Sequence, residues 1–376
     1  MNLSFFIFSY FPYGGLERNF LRITEACLAK GHQVDIYTMS WQGEKPQGAQ
    51  VITVPASGLT NHGRCASYVE ALEKMIEPGT YDLRVGFNRM PGLDLYYTAD
   101  VCYILDIKKR RGLLARLTPR YRVFSSFERA VFGPESHTHI MILAEAEKAN
   151  YVRAYGTPEK RFHDLPPGID RQRIKAALKP DVAEELRQQL GLPQESLILL
   201  AIGSDFVRKG VERSVRAMAS LPEKIRQQTH LLVVGKGKAK PLLKLASRLQ
   251  VKDNLRVIGT SDQVPGFLAG ADLLLHPAIS ENTGNVIAEA LVAGLPVLAT
   301  DTCGYGFHVR NSGAGSLIKG LPFNQQEMNQ TLAKMLESND RHEWGQQALE
   351  YADRTDLYSR PQKALEIIES LLEQRR

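Results

Sequence analysis

At 376 residues the chain is long enough for two domains of ordinary size, each with a full core. Its composition, 43% hydrophobic and 23% charged, is that of a globular protein; no apolar run reaches the roughly 18 residues a spanning helix needs, and no signal peptide is expected at Met1 to Phe8, which lacks a basic leader and a cleavage site. The net charge of +6 lies wholly in residues 103–132, where eight basic residues face two acidic ones, so general solubility does not explain it and a polyanionic partner does.

Residues 3–8 read as a strand, Gly14-Gly15 as a turn, and 16–30 as a helix stopped by Gly31. Strands are predicted at 34–38, 51–54, 83–87 and 139–143, with helices at 66–76 and about 145–155, a doubly wound α/β pattern. The rhythm breaks at Leu165-Pro166-Pro167-Gly168 and resumes past Pro180, with strands at 197–202, 230–234, 255–258, 273–275 and 297–299. The expected organisation is two Rossmann-like domains, 1–166 and 167–355. A last helix, 356–376, is expected to pack back on the first domain. Cys27, Cys65, Cys102 and Cys303 are widely spaced and form no metal-type pair, as expected of reduced thiols in a cytoplasmic protein.

Tyr10-Phe11-Pro12-Tyr13-Gly14-Gly15 joins the first strand to the first helix. Adjacent glycines let a diphosphate approach the backbone N–H groups, and a left-handed turn explains the pair equally well. Residues 88–103 follow a strand of the first domain and hold Asp94, Asp100 and Cys102; a carboxylate here either faces an interdomain cleft or serves as a loop or cap residue. Asn61-His62-Gly63-Arg64 is similarly placed and equally open.

In the basic stretch Thr118-Pro119 is a helix start. Apolar residues recur at Leu113, Leu117, Tyr121, Phe124, Phe127 and Val131, while Arg116, Arg120, Arg122 and Arg129 lie off that stripe. Such a helix can lie in an anionic membrane surface, each cation contributing about 1 kcal/mol. It can also be a domain helix with a wet basic face, or a nucleic-acid patch, although no reader motif accompanies it.

In the second half, Gly203-Ser204-Asp205-Phe206-Val207-Arg208-Lys209-Gly210 follows a strand. Arg208 and Lys209 could neutralise a leaving diphosphate without a metal, or form a solvated basic loop. No Asp-x-Asp occurs in the chain. Residues 276–300 read as a strand end, a polar loop holding Glu281, Asn282, Thr283 and Gly284, a helix from Asn285 to Val292, and a further strand. Glu281 and Glu289 frame the helix start, which suits a ligand with hydroxyls and phosphate, such as a sugar nucleotide. The other reading is a βα unit with solvated acids.

With these motifs assembled, the chain resembles the lipopolysaccharide core glucosyltransferases of glycosyltransferase family 4. These are retaining enzymes of the α/β GT-B fold, two Rossmann-like doubly wound domains facing an interdomain cleft. The resemblance covers essentially the whole chain. It rests on Tyr10 to Leu16, Asn61-His62-Gly63-Arg64, Val85 to Asp94, Ala99-Asp100-Val101-Cys102-Tyr103, Leu165 to Ile169, Gly203-Ser204-Asp205-Phe206, Arg208-Lys209-Gly210 and the Glu281 to Glu289 element.

The resemblance implies metal-independent transfer of a hexose, with glucose favoured, from a UDP-sugar to heptose of the lipopolysaccharide inner core. An N-acetylhexosamine or galactosamine-type donor is the alternative within the same pathway, and a non-catalytic sugar- or nucleotide-binding protein is the alternative from another class. It also implies that 1–166 is the acceptor domain and 167–355 the donor domain. Glu289 would hold the ribose hydroxyls and Glu281 the donor sugar, while Arg208 and Lys209 would bind the diphosphate. Gly14, Gly15 and the Asn282, Thr283, Gly284, Asn285 and Val286 backbone would close around the donor, with Arg173 a further donor contact and Asp100 near the reacting sugar. Lys108, Lys109, Arg110, Arg111, Arg116, Arg120 and Arg122 would face the anionic inner leaflet of the cytoplasmic membrane, where the lipid A–core acceptor sits. No cofactor, metal or nucleic acid is implied. The chain departs from the family pattern at Ser9, Asn19 and Gly306-Phe307-His308, which bears on the acceptor contacts.

Overall fold

The computed structural model describes residues 1–12 and 14–375, with the side chains of Lys109, Arg110, Arg111 and Leu113 outside the description. The chain divides into two compact units, Met1–Gly168 with Ser359–Arg376, and Ile169–Tyr358.

The first unit contains β1 (Asn2–Phe6), β2 (Ser9–Tyr10), β3 (Gln33–Thr38), β4 (Ser40–Trp41), β5 (Ala49–Thr53), β6 (Leu83–Gly86), β7 (Leu95–Tyr97), β8 (His139–Ile142) and β9 (Phe162–Asp164). Seven of these form one parallel sheet in the order β5-β3-β1-β6-β7-β8-β9, and β2 pairs with β4 as a separate ribbon. Side chains of a strand alternate between sheet faces, so both faces need cover. Phe5 and Tyr97 point to a core built with Phe20, Ile23, Ala364 and Ile368. Phe6 and Tyr96 point to the opposite core, with Tyr68, Val69, Phe127, Val131 and Tyr151. The C-terminal Arg360–Glu373 helix lies within this unit, against the Gly15–Ala29 helix. Its buried Arg360 donates to the Pro166 carbonyl at 2.8 Å and to the Tyr97 hydroxyl at 3.0 Å.

The second unit is a six-stranded parallel sheet of β10 (Leu197–Ile202), β11 (Thr229–Val234), β12 (Leu255–Gly259), β13 (Leu273–His276), β14 (Val297–Thr300) and β15 (Gly315–Ile318). The order is β12-β11-β10-β13-β14-β15, so the winding reverses between β10 and β13. Loops leaving the carboxyl ends of such neighbours part to opposite faces and leave a crevice. Arg208 and Lys209 follow β10, and Glu281 follows β13.

Residues 103–132 carry the helix start expected at Thr118-Pro119, with two further segments ahead of it. They make a Tyr103–Arg111 helix, a 3₁₀ turn at Leu113–Leu117 and a Pro119–Phe132 helix, interrupted at Gly112 with φ of 70° and at the Thr118 cap. The aromatic stripe faces protein, with Phe127 and Val131 buried and Phe124 packed against the same core. Helix 66–76 begins earlier, at Asn61, because the Thr60 hydroxyl accepts the Gly63 N–H and caps it.

Candidate active site

At the carboxyl end of β10 the chain turns through Gly203 and Asp205, the latter with a positive φ of 62°. The Asp205 carboxylate accepts the Arg208 N–H at 3.3 Å and its carbonyl accepts the Lys209 N–H at 3.0 Å, so one residue shapes the basic turn. Gly210 closes it with φ of 68°, and a Cβ there would lie 1.9 Å from the Pro277 carbonyl oxygen. The close approach lets Ile279 N–H donate to the Arg208 carbonyl at 2.8 Å, tying the turn to the β13 loop. That loop is fixed from behind by Thr300 and Thr302, whose hydroxyls both donate to the Ala278 carbonyl.

Arg208 and Lys209 come together with Glu281. Arg208 Nη1 donates to the Glu281 carboxylate at 2.9 Å, and Lys209 Nζ pairs with the same oxygen. Glu281 is also bridged to Cys303 through its backbone. Burial alone would push the pKa of its carboxyl up, yet Lys209 and Arg208 hold it down at about 2. It is therefore ionised at neutral pH and poorly suited to carry a proton. Burial, with Lys209 beside it, pushes the His276 imidazole down to about 3, so this ring is neutral. The group of two cations and one carboxylate carries a net positive charge.

Beyond Glu281 the Asn285–Val292 helix begins at Gly284, in a left-handed conformation with φ of 84° and with no side chain capping the first turn. Uncapped N–H groups at a helix start attract anions. Asn285 Oδ1 and His276 Nε2 are buried without a hydrogen-bond partner, a cost unless a ligand or water supplies one. Glu289 is half-buried on the same helix. Asn282, Thr283, Gly284 and Val286 are buried, and the Thr283 carbonyl accepts the Tyr305 N–H at 2.7 Å.

Arg173 lies elsewhere in this unit. It donates to the Asp262 carbonyl at 3.1 Å and lines a depression of about 400 Å³, none of whose walls comes from Arg208, Lys209 or Glu281. His308 turns inward to bond the Tyr351 hydroxyl at 2.8 Å, while Phe307 remains exposed.

In the first unit Asp100 is 60% exposed and stands 3.5 Å from Arg89. Its loop is held by residues that sequence reasoning passed over. The Tyr151 hydroxyl donates to the Asp100 carbonyl, Cys102 N–H to Glu147, and Arg89 to the Val101 carbonyl. Glu128, fully buried, accepts the N–H groups of Tyr103 and Ile104, the Tyr155 hydroxyl and the Arg89 guanidinium. Its only sequence signal was that it is one of two acids in a basic run. Asp94 is structural, since its carboxylate accepts the Arg84 N–H at 2.7 Å and pairs with Arg375 at 2.5 Å. His62 sits 3.3 Å from the Thr60 hydroxyl in the capped first turn.

The glycine pair is not a left-handed turn. Gly14 is extended, with φ of −82°, and Gly15 starts the helix, while Tyr13 lies outside the described residues. A Cβ on Gly14 would fall 1.7 Å from the Glu17 carboxylate, so the missing side chain makes room for an acid. Burial, with Asp100 adding its charge, pushes the Glu17 carboxyl up to about 7 against its own backbone N–H and Arg18. Asn19 is buried and donates to the Gly15 carbonyl at 2.8 Å. Lys108, Arg116, Arg120 and Arg122 are exposed, and the side chains of Lys109, Arg110 and Arg111 lie outside the described residues.

Among the described residues, no group of three or more His, Cys, Asp or Glu is arranged to hold a metal ion, and no helix is long and apolar enough to cross a membrane.

Residues 13–173 match the family Glycosyltransferase Family 4, and residues 182–351 match Glycosyl transferases group 1. The chain is 43% identical to lipopolysaccharide glucosyltransferase WaaG of Escherichia coli K12, over 98% of both proteins. The chain belongs to the WaaG family of glycosyltransferases. A crystal structure of WaaG, described as a glycosyltransferase involved in lipopolysaccharide biosynthesis, superposes with a TM-score of 0.94 at 43% identity over 97% of this chain and 99% of that one. The fold shared with WaaG is GT-B. The same fold recurs at 19% identity and a TM-score of 0.74 in Anabaena Alr3699/HepE in complex with UDP-glucose, covering 98% of this chain and all of that one. Among sequences, D-inositol 3-phosphate glycosyltransferase 2 of Catenulispora acidiphila is 25% identical over 92% of this chain and 90% of that protein.

Proposed function

We propose that this glycosyltransferase moves a hexose, with glucose favoured, from a UDP-sugar to heptose of the lipopolysaccharide inner core, with retention and without a metal. The observation that carries the donor assignment is the Arg208–Lys209–Glu281 group at the switch point, set beside an uncapped helix start. The uridine diphosphate is the leaving group, and its developing charge is met by Arg208, Lys209 and the first-turn N–H groups around Asn285 and Val286. Fixed charges of this kind stabilise a transition state without reorganising. Glu281, ionised and salt-bridged, orients the sugar hydroxyls and the two cations instead of acting as a base. The proton of the incoming hydroxyl passes to the departing diphosphate on the same face of the sugar, which retains configuration. Glu289 takes the ribose hydroxyls, and Asn285 Oδ1 and neutral His276 give further polar contacts.

The acceptor reading assigns Asp100, exposed on its braced loop, to the reacting-sugar side. The likeness to WaaG supports lipopolysaccharide as the acceptor. Exposed Lys108, Arg116, Arg120 and Arg122 support reversible attachment to an anionic membrane at its cytoplasmic face. A donor screen with a defined heptose-terminated core acceptor tests the assignment. UDP-glucose is expected to give acceptor-dependent product, and faster transfer from an N-acetylhexosamine or galactosamine donor would replace glucose.

A further inference from the structure

Two helices that start beside each other in the first unit share one form of entry. Asn61–Met75 follows Thr60, whose hydroxyl accepts the Gly63 N–H at 3.2 Å. Pro119–Phe132 follows Thr118, whose hydroxyl accepts the Tyr121 N–H at 3.2 Å. The residue before each cap is a leucine, Leu59 and Leu117. An apolar residue at this position ordinarily packs on an apolar side chain in the next turn, four places after the cap. Those places hold Arg64 and Arg122. The leucines are accordingly left in water, Leu59 fully exposed and Leu117 at 70%, with Leu114 at 80% close by in the chain. The two starts are neighbours: Arg64 and Arg120 both act on the Cys65 thiol, and Cys65 and Val69 share a core with Phe127 and Val131. Arg64, Arg116, Arg120 and Arg122 are all exposed.

We propose that Leu59, with Leu117 and Leu114, forms an apolar foot that enters the acyl boundary of an anionic bilayer while Arg64, Arg120 and Arg122 engage lipid phosphates. The inference rests on the membrane reading above and extends it to a loop outside the basic stretch. Charge selects this occupant. Exposed leucines with exposed arginines at the same two helix starts match a surface that is apolar beneath and anionic above, and each leucine supplies the apolar burial that charge alone lacks. Arginine stems can lie along the same apolar boundary with their heads in the phosphate layer.

Sedimentation with phosphatidylglycerol–phosphatidylcholine vesicles, against phosphatidylcholine alone, tests it on the full chain. Leu59→Gln is expected to weaken binding to the anionic vesicles by about tenfold, and the Leu59→Gln/Leu117→Gln double variant by more. Transfer to a soluble, deacylated acceptor and the melting temperature should stay at wild-type values, since Leu59 touches no core. Arg120→Gln/Arg122→Gln should also weaken binding, with a shallower salt dependence. If the arginine variant weakens binding but Leu59→Gln does not, the foot is wrong and the membrane reading stands. A wild-type chain that ignores both vesicle types overturns both. Loss of self-association in Leu59→Gln, with vesicle binding unchanged, would make the leucines a contact between copies and overturn the proposal.

Discussion

Glu281 sits where two positive side chains and burial pull in opposite directions, and the cations win. The consequence is a division of labour in which carboxylate and cations hold one another in place before any ligand arrives. Arg208→Ala or Lys209→Ala should therefore lower kcat by about 10²–10³, as for removal of one preorganised charge donor. Steady-state kinetics check this, and activity within about threefold of wild type in both variants would remove the pair from the site. Glu17 presents the opposite balance, because burial outweighs its stabilising partners. Its folded form holds a proton up to pH about 7, while the unfolded carboxyl releases it near 4.5. Stability thus falls as pH rises through that interval. Glu17→Gln should match wild type below pH 4.5 and exceed it by roughly 1–3 kcal/mol above pH 7, measured by denaturant unfolding at both ends. A pH-independent difference would contradict the buried, protonated state.

At the scale of the element, the Tyr103–Arg111 helix and the Asp100 loop before it depend on a buried acid from another helix. Glu128 receives two first-turn N–H groups and the Arg89 guanidinium. Glu128→Ala should cost about 3–5 kcal/mol by stranding Arg89, and near-neutral behaviour in urea unfolding would overturn that role. None of this was legible from sequence, since the partners lie 39 and about 24 residues away and only the fold joins them. The longer strands and the Asn285–Val292 helix were legible, because apolar runs bounded by glycine and proline carry local signal. Strands β7 and β9, of three residues each, were not, nor was β15, where Gly315 and Ser316 leave only two apolar residues in the strand. The aromatic stripe had the right period, and of the readings it left open Phe127 and Val131 follow that of a domain helix, meeting the first unit's own core. Helical spacing shows that a face is apolar and does not say what covers it. Arg208, Lys209 and Glu281 were each legible as candidates, but their mutual pairing follows from the reversal between β10 and β13.

For the whole molecule, we propose different jobs for the two units: donor chemistry in the second, and the acceptor loop and membrane-facing cations in the first. If the cations of the second unit are the only neutralisers the diphosphate needs, EDTA treatment should leave turnover unchanged. Loss of rate rescued only by a divalent ion would contradict the metal-free mechanism. The most direct measurement is transfer from UDP-glucose to a heptose-terminated core oligosaccharide, with the anomeric configuration of the product read by NMR. Acceptor-dependent release of UDP, a retained α linkage, and loss of that product in Arg208→Ala are expected. An inverted linkage, or UDP release indifferent to the acceptor, would contradict the proposed function.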